Sequence, residues 1–298
     1  MIRAALAAVV LAGHLVALPL GELRAQTACP GPAIALSPAE PWDAKRGAHP
    51  LVGAILKGTE LLAASAGAEC AAAPIEQLRR ALKTHVEDGG IVLLGEVHDN
   101  GAQHALRAAL LQALVTDLAE GKKQRPPALV FEHLRTDQTA ALEARREPTP
   151  AGARDLLERL DWKNSGWPAA ELFLPIFEVA VTHALPILPG HPTRAEVRDV
   201  ARRGLDALSA DTVSRLGLDV PLPEALQNAL LDELEASHCG LMPRTAFTNM
   251  ALAQRYRDAH MAAALLEAAK THGSAILFAG NGHVRSDRAV PWDLNVHG

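Results

Sequence analysis

Two short motifs hold the residue types most able to do chemistry, Gly95–His98 (Gly-Glu-Val-His) and Gly280–His283 (Gly-Asn-Gly-His). Carboxylates and imidazoles bind borderline or hard divalent ions, and a carboxylate left uncoordinated can serve as a general base. The motifs therefore indicate metal binding or acid–base chemistry. The alternative is that each acid or histidine only caps a helix or solvates the end of a strand.

The elements before these motifs decide whether their side chains can meet. Aliphatic runs predict strands at Ile91–Leu94, Ala128–Phe131 and Ser274–Ala279. Because parallel strands present their carboxyl ends at one edge of a sheet, the residues that follow should share a cleft there. We expect a divalent metal site, with Glu96 and Glu132 as candidate catalytic carboxylates, built from Glu96, His98, Glu132 and His283.

Three further residues near the motifs have expected supporting roles. Asn100 is a plausible N-cap of a helix predicted over Ala102–Glu120. His104, in the first turn of that helix, would add a ligand or a contact to one. Asp287 would orient His283.

Strands and helices alternate along the rest of the chain, which predicts an α/β fold with a central, largely parallel sheet flanked by helices. Residues 42–298 read as a single domain with helical insertions around 136–184 and 194–271. A fourth strand is predicted at Pro186–Pro189. The remaining predicted helices are Leu51–Ala66, Pro74–Val86, Thr136–Arg146, Ala151–Leu160, Ala169–Ala184, Arg194–Arg203, Pro223–Ser237 and Thr245–Thr271.

Composition excludes some classes of partner. The formal net charge is −5 and aromatic residues make up 3% of the 298 residues. A mildly acidic chain with few aromatic side chains offers neither the basic surface nor the stacking platform that nucleic acid requires. We expect no nucleic-acid binding.

The amino terminus resembles an export signal. Arg3 precedes a mostly apolar stretch, and Ala25 offers a small residue for cleavage. We predict a signal peptide over 1–25, an extended linker over 26–41, and a periplasmic or outer-membrane location. An uncleaved anchor or a lipid on Cys29 are the alternatives, and either would attach the protein to a membrane.

The three cysteines are compatible with export. A disulfide between Cys29 and Cys70 is possible in an oxidising compartment. Cys239 follows His238 and is either a reactive thiol or soft ligand, or a buried small residue.

The motifs occur in an order that resembles a known family. Leu93–Asn100, Phe131-Glu132, Trp162 with Gly166-Trp167, Ala253–Ala262 and Gly280–Arg285 together resemble the ChaN-type haem-binding proteins of the haem-uptake/Tiki superfamily. The likeness extends over roughly residues 42–293. It also reaches Tiki-type metalloproteases and erythromycin-esterase-like hydrolases, which have comparable Glu/His motifs at strand ends.

The resemblance implies an exported bacterial protein of haem-iron uptake, with haem held between two subunits through a tyrosine. A homodimer is therefore possible. The only tyrosine here is Tyr256, so the haem ligand would be Tyr256 or a histidine such as His238 or His260. Ordinary helix packing is the alternative for Tyr256.

Two functions from different classes follow. The first is haem binding, and the second is metal-dependent hydrolysis at the predicted Glu/His site. A non-catalytic interaction domain is the third, plainer possibility.

Overall fold

The computed structural model describes residues 7–9, 55–57, 60–63, 72–121, 125–144, 147–239 and 241–297. Except for residues 7–9, the predicted signal peptide and linker lie outside the described residues. So do Cys29 and Cys70.

The described residues form seven strands and ten α-helices. The strands are β1 (Ala7–Val9), β2 (Ile55–Lys57), β3 (Glu60–Ala63), β4 (Ile91–Glu96), β5 (Ala128–Arg135), β6 (Ile187–His191) and β7 (Ala275–Gly280). The helices are α1 (Ala72–Glu87), α2 (Gly101–Glu120), α3 (Thr139–Glu143), α4 (Pro150–Arg159), α5 (Ala170–Thr182), α6 (Arg194–Arg203), α7 (Ala210–Arg215), α8 (Glu224–Ser237), α9 (Phe247–His272) and α10 (Val290–His297).

Four parallel strands form the body of the sheet, in the order β4-β7-β5-β6, and β1 pairs in parallel with β4 at its edge. The last strand of the chain, β7, therefore lies between β4 and β5. This order places the turn after β7 between the ends of the two strands that hold Glu96 and Glu132. The predicted α/β fold with a central parallel sheet is confirmed.

The two faces of the sheet bury alternate residues of the same strands. Val92 and Leu94 of β4 pack on one side with helices α1, α2, α4 and α5. Leu93 packs on the other side with α9 and α10. Since successive side chains of a strand point to opposite faces, continuous apolar runs are what a sheet covered on both sides requires.

Most predicted elements are confirmed, with shifts at their ends. The helix predicted over Leu51–Ala66 is wrong where the structure describes it, because β2 and β3 pair there as an antiparallel two-stranded sheet. Gly53 and Gly58 both disfavour a helix in this stretch, whereas a β-branched residue such as Ile55 suits a strand. The segments α7 and α10 were not predicted.

Two further features concern the helices. The predicted cap is confirmed, since the Asn100 side chain accepts a hydrogen bond from the backbone N–H of Gln103 at 3.2 Å. Among the helices of the described chain, none combines the length and the apolar character needed to cross a bilayer.

Candidate functional site at the carboxyl edge of the sheet

The site lies at the carboxyl edge of the sheet, where β4 and β7 end beside Glu132 of β5. Glu96, the last residue of β4, is in register with Gly280, the last residue of β7. On the other side, Glu132 Oε2 accepts a hydrogen bond of 2.7 Å from the backbone N–H of Gly280. Glu96 and Glu132 are 1% and 2% exposed, so two buried carboxylates flank one glycine.

The imidazole of His98 lies over this glycine. A Cβ atom on Gly280 would lie 2.9 Å from His98 Cε1, 3.0 Å from His98 Nε2 and 3.5 Å from Glu132 Oε2. His98 Nδ1 is held 2.7 Å from Glu96 Oε1. The side chain keeps 37% of its surface exposed. Glycine at position 280 therefore lets a partly exposed imidazole approach both carboxylates.

A buried cation stabilises the ionised form of Glu96. Arg107 of α2 lies with Nη2 3.8 Å from Glu96 Oε1. It also donates hydrogen bonds to the Leu94 carbonyl and to His104 Nδ1, at 3.2 and 2.8 Å. Burial raises the pKa of Glu96, yet hydrogen bonds from His133 and His98 and the Arg107 charge bring it down to about 2. Glu96 is therefore a permanent carboxylate at ordinary pH.

His133 is the second imidazole that contacts Glu96, with Nε2 3.2 Å from Oε1. Its ring is packed among Trp167, Phe173 and Trp162, at centroid distances of 4.7, 4.6 and 6.1 Å. Burial lowers its pKa, so the ring is neutral and donates its Nε2 proton to Glu96. Its Nδ1 atom is buried without a hydrogen-bond partner in the described part of the chain.

His283 lies on the Glu132 side of the site. Its Nε2 is 3.1 Å from Glu132 Oε1, and its Nδ1 is 2.5 Å from Asp258 Oδ1 of α9. Burial lowers the pKa of His283, but the charges of Glu132 and Asp258 outweigh it and raise the pKa to about 10. The orienting residue is therefore Asp258. The expectation for Asp287 is wrong, because Asp287 accepts hydrogen bonds from Arg285.

The edge can hold a divalent ion on three residues. One ligand atom each from Glu96, His98 and His133 lie within 4.8 Å of one another. The four predicted residues do meet at this edge. However, Glu132 and His283 pair with each other beside that trio, and His133 completes it.

Two of the three candidate haem ligands, Tyr256 and His238, lie in different surroundings. Tyr256 of α9 is 2% exposed in an apolar cluster with Val200 and Leu216, and burial raises its pKa to about 12. A phenol in that position reaches a ligand only if the cluster repacks. His238 ends α8, where its Nδ1 lies 2.7 Å from the Leu234 carbonyl oxygen.

His260, the remaining candidate, has Nδ1 3.0 Å from the Gly190 carbonyl oxygen. Burial lowers its pKa. Among the described residues, neither His238 nor His260 forms a hydrogen bond with Glu96, His98 or His133. The partly exposed imidazole at this edge is that of His98.

Sequence reasoning missed three contributors, His133, Asp258 and Arg107. His133 directly follows Glu132 at the end of a predicted strand. The same position after a strand led to the prediction of His98, but His133 was not predicted. Asp258 and Arg107 lie inside long helices, where a charged residue is normally solvent-exposed. No local pattern marks either as a buried partner.

Comparisons with known proteins identify the family of the chain. The sequence matches the family described as haem-binding uptake, Tiki superfamily, ChaN over residues 82–294. A solved structure of ChaN from Campylobacter jejuni, described as showing cofacial haem binding, aligns with a TM-score of 0.55 at 17% identity. The alignment covers 74% of this chain and 80% of that chain. No curated protein sequence matches significantly. The chain belongs to the ChaN family of the Tiki superfamily.

Proposed function

We propose that this protein binds haem and takes part in haem-iron uptake outside the cytoplasm, with His98 as the iron ligand. The family assignment supports haem as the ligand. The single observation that carries the choice of residue is the partly exposed His98 imidazole, anchored through Nδ1 to Glu96 at 2.7 Å.

The surroundings of His98 suit haem. An imidazole bonded through Nδ1 to a carboxylate has a fixed orientation and leaves Nε2 for a metal. No hydrogen bond to Nε2 of His98 occurs within the described residues. Beside it, Val97 is 46% exposed, and the Trp167 ring lies 4.9 Å from the His98 ring. These side chains offer the apolar surface that a porphyrin face requires.

Haem bound here would supply an iron centre whose electronic properties depend on the residue that holds it and on the hydrogen bonds of that residue. Glu96 would strengthen His98 as a donor, since an ionised acceptor on Nδ1 raises the basicity of the ring. Arg107 and His133 would keep Glu96 ionised and fixed.

Titration of the purified mature protein with haemin tests the proposal. We expect stoichiometric binding and a shifted Soret band, and loss of both in His98→Ala. His183→Ala is the matched control, because His183 is an exposed histidine bonded to Gln112. Haem binding that survives in His98→Ala with an unchanged spectrum would exclude His98 as the ligand.

Export and assembly are separate parts of the proposal. The pattern of residues 1–25 supports export, followed by cleavage after Ala25 or by lipid attachment at Cys29. Mass spectrometry of the mature amino terminus distinguishes these outcomes, and an intact Met1 would favour an uncleaved anchor. We also propose a homodimer, which light scattering with and without haemin would detect as a doubled mass.

A divalent metal site with hydrolase activity is a second candidate. The observation that favours it is the proximity of ligand atoms from Glu96, His98 and His133. Two imidazoles and a carboxylate are a common zinc set that leaves a position open for water. Glu132, paired with His283 next to this trio, is placed to accept a proton.

Metal analysis after purification and after zinc loading tests this candidate. We expect about one bound ion per chain, lost in Glu96→Gln. Glu178→Gln is the control, since Glu178 lies on helix α5 and its ion pair is with Arg154. Equal metal content in both variants would remove the metal site and the hydrolase hypothesis with it.

A further inference from the structure

A cavity lies behind the His283–Asp258 pair. Its volume is about 160 Å³, and it lies between α8, α9 and the segment that leads into α10. Asp258 and Gln254 line it, and both contact His283. None of the residues assigned above to haem or metal binding lines this cavity.

One wall of the cavity is apolar. It consists of Leu222, Leu230, Leu234 and the ring of Trp292. A volume of 160 Å³ corresponds to about five water molecules at ~30 Å³ each. Covalently bonded atoms pack more closely than separate water molecules. The space therefore suits a ligand of roughly eight non-hydrogen atoms, smaller than the drug-sized compounds that fill typical pockets.

Two residues that line the other side of the cavity have buried N–H donors that lack acceptors within the described residues. Arg255 is 7% exposed and donates one hydrogen bond, from Nη2 to the Val220 carbonyl at 2.7 Å. Its Nε atom is buried and has no hydrogen-bond partner within the described residues. The same holds for Nε1 of Trp292. Buried donors without acceptors are costly, so an acceptor-rich ligand is the natural complement.

The charges around the cavity favour an anion. Arg288 is bonded to Glu233, and Asp258 is bonded to His283, so these four charges are matched in pairs. Asp293 is 3% exposed, and burial together with the Asp258 charge raises its pKa to about 8. Among the described residues, no carboxylate forms an ion pair or hydrogen bond with the Arg255 guanidinium, so this buried cation has no direct partner of opposite charge.

We propose that this cavity binds a small organic acid, with its carboxylate at Arg255 and Trp292 and its alkyl chain among Leu222, Leu230 and Leu234. The assignment concerns a ligand other than haem and does not depend on the proposed haem function. Binding would place an anion next to Asp258, the residue that orients His283.

Isothermal titration calorimetry of the full-length protein with hexanoate tests the proposal. We expect saturable binding of one hexanoate per chain. Hexan-1-ol and hexylamine should bind at least about tenfold more weakly, since only the carboxylate makes charge-assisted hydrogen bonds to these donors. Absence of saturable binding of hexanoate, or binding of hexylamine as tight as hexanoate, would overturn the assignment.

Variants locate the site. Leu230→Trp fills the apolar end and should abolish hexanoate binding. Leu241→Trp is the matched control, because Leu241 is 85% exposed and outside the cavity, and it should bind as the parent does. Hexanoate binding that persists in Leu230→Trp would contradict the proposed location.

A conservative second variant covers the case in which Leu230→Trp does not fold. Trp292→Phe keeps the aromatic packing and removes one donor. We expect hexanoate affinity to fall about tenfold, the effect of one hydrogen bond to a charged group. Affinity equal to that of the parent would refute the role of Trp292.

Discussion

Replacing Gly280 with alanine should displace the His98 imidazole from the site. The new Cβ would lie 2.9 Å from His98 Cε1 and 3.0 Å from Nε2, against a normal carbon–carbon contact of about 3.5–4.0 Å. The ring must therefore move by at least about 0.5 Å. Because the side chain of His98 is 37% exposed, it can rotate outward, which breaks its 2.7 Å contact with Glu96.

The energetic effect follows from that one contact. A hydrogen bond to a charged group contributes about 1.5–3 kcal/mol, and its partial exposure here places the loss near 1–2 kcal/mol. If haem binding requires the anchored ring, haemin affinity should fall by roughly 5- to 30-fold. The unfolding temperature should fall by only a few degrees, at about 2–4 °C per kcal/mol lost, since the backbone at Gly280 needs no left-handed conformation that would add to the cost.

The chain supplies its own control two residues away. A Cβ on Gly282 would meet nothing within 4 Å, so Gly282→Ala should bind haemin as the parent does. Haemin titrations followed at the Soret band would compare the three proteins. Parent-like affinity in Gly280→Ala, or an equal loss in Gly282→Ala, would refute this reasoning.

Three further predictions concern stability, each measured by urea unfolding. The pKa of His283 is about 10 in the folded protein and 6.5 in the unfolded chain. Protonation of His283 therefore stabilises the fold fully below pH 6.5, and this contribution is lost as pH rises through 10. The free energy of unfolding should fall by up to about 3 kcal/mol between pH 6 and pH 9, and it should fall by less in His283→Gln. An equal fall in both proteins would contradict this prediction. Arg107→Met should cost about 3 kcal/mol by leaving a buried carboxylate uncompensated, whereas exposed Arg80→Met should cost almost nothing. Asn100→Ala should cost about 1 kcal/mol through the lost cap of α2, and an unchanged midpoint would argue against that cap.

The strand ends could be predicted because local patterns specify them. Aliphatic runs marked β4, β5 and β7, and their parallel arrangement brought Glu96, Glu132 and His283 to one edge, as expected. The predicted strands stopped too early, since β4 and β5 continue through Glu96 and Arg135. Polar residues inside a strand look like its end when only hydrophobicity is considered.

The partners from helices could not be predicted. Asp258 is 25 positions from His283 in sequence, and Arg107 is 13 positions from the Leu94 carbonyl it contacts. Such contacts depend on how α9 and α2 cross the sheet, which no local spacing encodes. Tyr256 illustrates the converse, because its residue type suggested a ligand while its position on α9 buries it.

The most direct test of the account uses His98→Gly, which leaves space where the imidazole was. We predict that this variant does not give the Soret band of the parent haem complex, and that free imidazole restores the band, because the imidazole then occupies the ligand position above Gly280. A parent-like Soret band in His98→Gly without imidazole would contradict His98 as the haem ligand at this edge of the sheet.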